Sequence, residues 1–460
     1  MTQGYYAGIM GIQTHQYGLD VISDNLANSS TTAYKSTTTE FADLFSKVIN
    51  SNTSTPTSDD IGYGVKLQAT SFQFQQGALM PSDRYTDLAL EGNGWFGVMT
   101  TNDKYYYSRD GSFSFDTYEQ TAGDVNSSAA RLVTADGMFV RGTMLSNFAY
   151  NSTFDYGDTD SNATPGAYVV NNPTSEAELT SPGKQGILEF PTRLAYPVVP
   201  TTETTFFGNL GRENEQRTIS ANVVSGNNDI NRLKLTFEQH IETSTEIING
   251  NPTEVSLPWD GLTWDVHATV TSNDGSTIYD TKEGQAIFSE SGALASFDIT
   301  SMNNDGTPVS VNLGTGFSGV ISIDGVGTSG SSSSDGVSGG TLTKYGINQN
   351  GVIVADFSNG RQSAIGRIAV FHFQNDQGLN REGGTYFQES SDSGKPTFWT
   401  DENGKAINGA LVRSGNLEAS NVRVDVGLTD MIIMQRAYQA NSKIITTVDE
   451  MIQKAIAMHR

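Results

Sequence analysis

Two glycine-rich motifs have a residue spacing that could support chemistry. Residues 314–319 match the GxGxxG spacing of dinucleotide-binding loops, but such a loop must open a helix whose backbone amides meet the pyrophosphate. Here residues 320–323 favour a strand, so the motif predicts a turn and no nucleotide site. Residues 336–340 match the GxSxG spacing of a nucleophile elbow. That elbow needs a strand before the serine and a helix after it, and this serine lies in a Ser/Gly run instead.

Metal and nucleophile chemistry is equally poorly supported. Residues 158–162 begin like a calcium loop, but Ala163 stands where the loop needs Gly and Val169 where it needs Glu, so weak cation binding is the most we expect there. The chain has no Cys, and its five His show no HExxH spacing. The sequence also contains no motif that would bring together a nucleophile, a general base and a residue that orients the base. We therefore expect no enzyme, no catalytic residue, no cofactor and no metal site.

Composition limits the remaining classes of function. The chain has 460 residues, 27 basic and 51 acidic, for a formal charge of −24. Its length predicts roughly two to four domains. The acidic balance argues against nucleic acid and against anionic membrane surfaces. The chain has no apolar run of about 18 residues, so we expect no membrane insertion. The N-terminus, whose first basic residue is Lys35, lacks the pattern of a cleaved signal peptide.

The two ends of the chain have a different character from its middle. The net charge is −2 over residues 1–50 and +1 over residues 411–460, so the middle carries −23 of the total. Near-neutral ends suit packing against another protein surface, whereas an acidic middle suits solvent. We interpret the ends as buried in an assembly and the middle as exposed.

Both ends have the apolar periodicity of helices. The first helix is expected to end near Asn28, where a Ser/Thr run follows. The last helix carries an a/d seam about four heptads long. The apolar residues of the first helix are Ile9, Ile12, Leu19, Ile22 and Leu26, and the seam of the last comprises Met431, Met434, Tyr438, Asn441, Ile445, Val448, Ile452 and Ala455. Two ordinary amphipathic helices on a globular core are one interpretation; a stalk formed by the two termini is the one we favour.

The middle of the chain has the pattern of β structure. Alternation over residues 233–237 and 264–270 predicts strands, and Asn-Gly and Asp-Gly pairs predict turns throughout. The Ser/Gly run at 329–340 predicts a flexible loop or linker, and the polar tract at 50–60 predicts a connection between stalk and domains. The fold class we predict is mainly β with α-helical termini, in which the terminal helices pair as a coiled-coil stalk carrying antiparallel β domains inserted between them.

The ends also carry sequence motifs of a known family. Residues 18–28, GLDVISDNLAN, with AYKS at 33–36, resemble the N-terminal signature of bacterial flagellar rod and hook proteins. GNLEASNV at 415–422 and MQRAYQAN at 434–441 resemble the C-terminal signature of that family. Motifs at 74–79, 87–96 and 107–113 resemble its first β domain. The similarity covers roughly residues 1–142 and 343–460.

Two features favour the hook branch of this family over the rod. Residues 351–370 resemble the segment by which hook proteins return into the first β domain. The chain is also longer than rod proteins usually are and carries a large insert at 201–342. A distal rod or other axial flagellar protein with an enlarged outer domain is the alternative. A secreted β-rich adhesin or glycan-binding module is a third interpretation.

The resemblance implies an architecture and a set of contacts. The terminal helical stalk, residues 1–28 and 428–460, would form the inner tube of a helical homopolymer. Residues 29–71 would be a compliant connecting segment, residues 72–200 with 343–427 the first β domain, and residues 201–342 an outer β domain. The expected subunit-interface residues are Ile12, Leu19, Ile22, Asn25, Leu26, Asn28, Met434, Tyr438, Asn441, Ile445, Val448 and Ile452.

The same resemblance implies a location and partners. Such a protein would be an extracellular part of the hook and basal body, exported by the flagellar type III apparatus without a cleaved signal peptide. Its partners would be other copies of itself, rod and hook-filament junction proteins, the export apparatus and the hook cap. The hook would bend as a universal joint while transmitting torque.

Overall fold

The computed structural model describes residues 2–44, 46–48, 60–119, 128–151, 166–174, 178–213, 215–248, 251–256 and 261–458. Within these ranges one α-helix stands near each end of the chain, α1 at Thr2–Ala27 and α2 at Val424–Met458, and most of the chain between them is β structure. The prediction of a mainly β fold with helical termini is therefore confirmed. The calcium-like loop at 158–162, His459 and residues 50–59 of the polar tract lie outside the described residues.

The helix ends are set by local hydrogen bonds. At the end of α1 the backbone N–H of Asn28 donates to the carbonyl oxygen of Asp24 at 3.1 Å, and no further turn follows. The last helix begins at Val424, four residues before the predicted boundary at 428. Asp425 occupies its first turn, where the backbone N–H of Val426 and the guanidinium of Arg423 lower the pKa of its carboxyl. A carboxylate at this end complements the helix dipole.

A large sheet forms the first β region. Its core is aromatic and aliphatic, and Phe96, Phe113, Phe190 and Ile353 are fully buried in it. Along the main path its strands are Phe148–Asn151, Ala167–Val170, Leu194–Tyr196, Gly340–Ile347, Val352–Phe357, Gln362–Ile368, Phe139–Met144, Trp95–Met99, Tyr105–Ser108, Tyr386–Gln388 and Asn380–Gly383. The strands Phe113–Glu119, Ser128–Thr134, Gly186–Ile187, Glu189–Pro191 and Val370–Phe371 branch from that path.

Two further sheets lie within residues 203–334 and share one hydrophobic core around Trp264 and Phe237. One has the strand order Arg217–Val224, Ile230–Gln239, Thr263–Ser272, Ile278–Phe288 and Leu294–Phe297. The other has the order Ser301–Asn304, Thr307–Asn312, Glu203–Asn209, Ser318–Ile321 and Gly314–Thr315, with Ser329–Ser334 on the central strand. The alternation predicted at 233–237 is confirmed, because Leu233, Leu235 and Phe237 are fully buried.

Most of the described strand pairs are antiparallel, as predicted, but three are parallel. The strand Glu203–Asn209 pairs in parallel with Thr307–Asn312 and with Ser318–Ile321, and Ala167–Val170 pairs in parallel with Leu194–Tyr196. Parallel neighbours need a long crossover connection. The long intervening segments supply that connection here.

The prediction of a flexible loop over 329–340 is wrong for its first half. Ser329–Ser334 is a strand that pairs antiparallel with Glu203–Asn209. The hydroxyl of Ser332 donates to the carbonyl oxygen of Ser220 at 2.9 Å, and that of Ser334 to the carbonyl oxygen of Asn222 at 2.8 Å. The run therefore bridges the edges of two sheets. Small polar side chains give this contact, which composition alone could not distinguish from a linker.

The remaining described strands form small two-stranded units. These pairs are Thr37–Asp43 with Val65–Phe72, Ser46–Val48 with Asp60–Gly62, Leu79–Pro81 with Asn416–Glu418, Leu88–Glu91 with Leu411–Ser414, Thr243–Ile248 with Asn251–Ser256, and Trp399–Thr400 with Ala406–Ile407. Short 3₁₀ turns occupy Pro182–Lys184 and Asp376–Gly378. The GxGxxG motif opens the strand Ser318–Ile321 and no helix, as predicted. No helix in the described ranges is long and apolar enough to cross a membrane.

Candidate functional site: the terminal helices and their base

Helices α1 and α2 pack side by side in opposite directions. The contact runs from Gly4 near Val448 at one end to Leu26 near Gly427 at the other. Four glycines of α1 face large side chains of α2. These glycines are Gly4, Gly8, Gly11 and Gly18, and the facing residues are Val448, Ile445, Asn441 and Met434. A Cβ atom built on Gly11 would lie 2.6 Å from Nδ2 of Asn441, so a larger residue here would force the Asn441 side chain to move.

The structure places the predicted α1 residues on or beside this contact. Ile12, Leu19, Ile22 and Leu26 are half-buried. Asn25 binds the backbone of Thr37 twice: its Nδ2 donates to the carbonyl oxygen at 2.7 Å, and its Oδ1 accepts from the N–H at 2.9 Å. Asn28 donates from Nδ2 to the carbonyl oxygen of Asp24 at 2.9 Å and so terminates the helix. Both asparagines thus fix how the chain leaves α1.

The predicted α2 residues divide into two groups. Met434, Asn441, Ile445 and Val448 face α1, and Val448 is buried. Ile452 is half-buried. Tyr438 is exposed, although the heptad pattern places it on the same seam. Most of the predicted seam is therefore occupied by α1 of the same chain, and the assignment of these residues to a subunit interface stays a prediction.

A second apolar stripe on α2 faces solvent. Its residues are Val426, Ile433, Ala440, Ile444, Met451 and Met458, here called the outer stripe. Ile433 is 57% exposed, Ile444 45% and Met451 46%. At about 100° per residue, these side chains point roughly a quarter-turn away from the seam that α1 covers. This stripe was not predicted from the sequence, although its apolar residues recur at a spacing of seven.

A buried cluster of charges lies where the helices meet the β structure. Nζ of Lys35 lies 2.6 Å from Oε1 of Glu418 and donates to the carbonyl oxygen of Gln75 at 2.9 Å. Oε1 of Glu418 also accepts from the N–H of Gly77 at 2.9 Å. The side chains of Lys35 and Glu418 are 1% and 0% exposed. Nη1 of Arg109 lies 3.8 Å from Oε2 of Glu418 and adds a second buried cation.

Burial is the main electrostatic influence on this cluster. It lowers the pKa of Lys35 and that of Arg109, and the nearby carboxylate of Glu418 opposes both shifts. An unpaired ion would be costly at such a site, so each charge depends on the others. We refer to Lys35, Arg109 and Glu418 as the base cluster.

Tyr34 and Asn421 complete the connection between the termini. The hydroxyl of Tyr34 donates to Oδ2 of Asp24 at 2.9 Å, and the guanidinium of Arg381 lies 4.5 Å from the centre of its ring. Oδ1 of Asn421 accepts from the N–H of Ser36 at 2.8 Å. Ala33, Tyr34 and Lys35, near the start of the predicted connecting segment, are buried. The compliance of that segment stays a prediction.

Sequence reasoning did not assign a role to the base cluster. Its signal was present, because Lys35 lies in the AYKS motif and Glu418 in the GNLEASNV motif. Their pairing across the length of the chain could not be read from spacing. In the described parts of the chain, no group of three or more His, Asp or Glu could hold a metal ion. The base cluster holds the terminal helices in position. Its residues are not arranged as a catalytic site.

Comparisons with known proteins agree with this arrangement. Residues 413–458 match the family model described as flagellar basal body rod FlgEFG protein C-terminal, and residues 89–155 match the flagellar hook protein FlgE/F/G D1 domain. The first match contains Glu418 and all of α2. The second contains Arg109. The C-terminal motifs and part of the first β region thus match models of one family of axial flagellar proteins.

Relatives along the whole chain identify the branch. The flagellar hook protein FlgE of Borreliella burgdorferi is 28% identical over all of both chains. FlgE of Escherichia coli is 24% identical over 97% of this chain and 98% of its own. The rod protein FlgG of Borreliella burgdorferi is 34% identical, but over only 25% of this chain and 47% of its own. The crystal structure of Helicobacter pylori FlgE2 covers 74% of this chain at 16% identity, with a TM-score of 0.47.

The end-to-end similarity is to hook proteins. The chain is a structural subunit of the flagellar hook and not an enzyme. It belongs to the hook and basal body of the flagellum.

Proposed function

We propose that the chain polymerises through its terminal helices into the flexible tube that transmits torque from rod to filament. The outer stripe of α2 is the observation that carries this proposal. Ile433, Ile444 and Met451 lie on one face of a helix whose other apolar face is already covered by α1. An uncovered apolar stripe with heptad spacing suits another helix. A second copy of this chain is the occupant we propose.

Charge supports the choice of a second copy. The terminal segments are nearly neutral, whereas the middle of the chain carries almost all of the net charge of −24. Identical acidic surfaces repel each other, so close packing of copies is least costly through the ends. We propose that the helices form a coiled-coil stalk and the inner tube, with the acidic β structure outside it.

The domain division is proposed on the same basis. We assign residues 1–28 and 428–460 to the stalk, 29–71 to the connection, 72–200 with 343–427 to the first β domain, and 201–342 to an inserted outer domain. The separate hydrophobic core within 203–334 supports the last assignment. In this proposal the predicted interface residues hold α1 against α2, and the resulting helix pair contacts a neighbouring copy. Leu19, Ile22 and Tyr438 lie beside the contact with that neighbouring copy.

The wider set of partners follows from the family. We propose contacts with rod proteins, hook-filament junction proteins, the hook cap and the flagellar export apparatus, and export without a cleaved signal peptide. The partial match to a rod protein favours one alternative, a distal rod or other axial role. Rod and hook roles differ in the structure that is lost when the protein is absent.

The outer stripe can be tested by a charge substitution. Ile433→Asp and Ile444→Asp each put a carboxylate on the proposed contact, and burying an unpaired charge there would be strongly unfavourable. We expect hooks to be absent or sparse in electron micrographs of cells carrying either variant. Leu19→Asp should likewise block polymerisation while the β domains stay folded.

A matched control separates assembly from folding. Gln439→Asp adds the same charge to an exposed position of α2 outside the outer stripe and should leave hook length unchanged. Circular dichroism of each purified monomer should match the unsubstituted chain. Hooks of normal length from Ile433→Asp and Ile444→Asp together would contradict the proposed contact.

A further inference from the structure

A half-buried arginine of the first β region has donor groups without acceptors. Arg367 lies in the strand Gln362–Ile368, and its Nε donates to the carbonyl oxygen of Asn350 at 3.1 Å. Its two Nη atoms make no hydrogen bond or ion pair with any residue that the structure describes. Burial lowers the pKa of the guanidinium, and among the described residues no carboxylate opposes that shift. This cation is therefore partly removed from water without a counter-ion.

Two buried arginines show how such a charge is compensated elsewhere in this chain. Nη1 of Arg109 lies 3.8 Å from the carboxylate of Glu418. Nη2 of Arg141 donates to two backbone carbonyl oxygens at 3.3 and 3.4 Å, and its guanidinium carbon lies 4.1 Å from the centre of the Tyr105 ring. Arg367 differs from both, because one backbone oxygen is its whole set of acceptors within the described chain. We expect its remaining acceptors to come from another molecule.

Arg367 lines a cavity in the surface of the first β region. The cavity has a volume of about 420 Å³ and is also lined by residues 407–411, which lead into the strand paired with Leu88–Glu91. A water molecule occupies about 30 Å³ in the liquid, so the cavity can hold a carboxylate side chain together with several waters. Leu411 is exposed and supplies apolar contact surface. The site therefore suits an acidic side chain with a short apolar stem.

Two other polar side chains that line the cavity already have partners. Oε2 of Glu91 accepts from Nε of Arg413 at 2.7 Å, so its charge is compensated within the chain. Asn408 donates from Nδ2 to two carbonyl oxygens, each at 3.1 Å, and its Oδ1 accepts from a backbone N–H at 3.2 Å. The positive charge of Arg367 is what these contacts leave without compensation. The cavity should therefore select an anionic group.

We propose that this cavity binds an Asp or Glu side chain of a second copy of the chain, with its carboxylate held by the guanidinium of Arg367. Two parallel N–H···O bonds from one guanidinium to one carboxylate make a strong and directional contact. The chain has 51 acidic and 27 basic residues, so a neighbouring copy presents mainly carboxylates. Copies with the same net charge repel each other, and this contact offsets part of that repulsion. The inference rests on the proposed function, because it requires neighbouring copies in a polymer.

Cross-linking of assembled hooks tests the contact. Arg367→Lys keeps the charge and supplies an amine, which a carbodiimide joins to a touching carboxylate as an amide with loss of water. We expect hooks of this variant, and not its monomers, to yield a peptide containing position 367 linked to a peptide containing Asp or Glu. Arg361→Lys, at an exposed arginine just before the same strand, should yield no such hook-specific product. Linkage of position 367 only to Glu91, the same products from monomers and hooks, or no product at position 367 would overturn the inference.

Removal of the charge provides an independent measurement. Hooks of Arg367→Gln should form at normal length but dissociate about three- to tenfold faster on heating in dilute buffer, because each subunit loses a charge-assisted contact. Concentrated salt screens ion pairs and should reduce this difference. Arg361→Gln should stay within about twofold of the unsubstituted chain, and circular dichroism of both monomers should be unchanged. Equal dissociation rates for the two variants would overturn this inference, whereas loss of hooks in Ile433→Asp would still support the polymer contact proposed above.

Discussion

Substitution of Glu418 by Gln tests whether the base cluster stabilises the fold. The variant keeps the size of the side chain but removes the only negative charge in the cluster. Oε1 of Glu418 accepts from Lys35 at 2.6 Å and from the N–H of Gly77 at 2.9 Å, and the side chain is fully buried. Lys35 would remain as a buried cation without its paired carboxylate, whereas Arg109 would still be influenced by the charge of Asp376.

The expected cost follows from the burial of the group. Removing one partner of a buried ion pair typically costs about 3–5 kcal/mol. For a cooperative unit of about 150–250 residues, each kcal/mol lowers the melting temperature by about 2–4 °C. We therefore expect Glu418→Gln to lower the melting temperature of the folded unit that contains the base cluster by about 6–20 °C. Hydrogen exchange should locate the loss at residues 33–37 and 411–421.

A calorimetric comparison provides the control. The ion pair of Glu178 with Lys405 has a similar N–O distance, 2.8 Å, but both side chains are exposed. Exposed pairs contribute about 0–1 kcal/mol, so Glu178→Gln should change the melting temperature little. A loss below about 1 kcal/mol for Glu418→Gln, equal to that of Glu178→Gln, would refute the claim that the charges of the buried cluster depend on one another.

Two further predictions concern packing and pH. Gly77→Ala should lower the unfolding free energy by about 3 kcal/mol or more, because its Cβ atom would meet the backbone oxygen of Ala419 at 2.0 Å; Gly186→Ala, with open space around it, should stay within about 0.5 kcal/mol in urea titrations. Burial lowers the pKa of His372 in the folded chain, whereas its value in the unfolded chain is about 6.5. As the pH falls below about 6.5, the unfolded chain binds the proton more readily, so the free energy of unfolding decreases. His372→Gln should therefore show a smaller loss of stability than the unsubstituted chain between pH 7.5 and 5.5, and equal slopes would contradict this reasoning.

The terminal helices were predictable because their signal is local. The apolar spacing of α1 and the Ser/Thr run after Asn28 place its end within a residue or two of the observed one. The start of α2 was predicted too late, since the apolar seam begins later than the helix does. Asp425, an acidic residue in the first turn, indicates the start of the helix, but apolar periodicity does not detect it.

Contacts between distant segments were not predictable from spacing. Lys35 and Glu418 lie 383 positions apart, and a single sequence contains no information that pairs them. The strand Ser329–Ser334 was missed for a related reason, because its stability comes from Ser220 and Asn222 on another sheet. The outer stripe of α2 was visible as seven-residue spacing. Its exposure could be recognised only once α1 was placed against the other face.

The most direct test of the central claim is electron microscopy of basal bodies from cells that lack this protein. We expect complete rods and rings that end without a hook, with hooks restored by the unsubstituted gene and not by one encoding Ile433→Asp with Ile444→Asp. Truncated or absent rods would place the protein in the rod instead. Normal hooks and rods in its absence would contradict the assignment as the structural subunit of the hook.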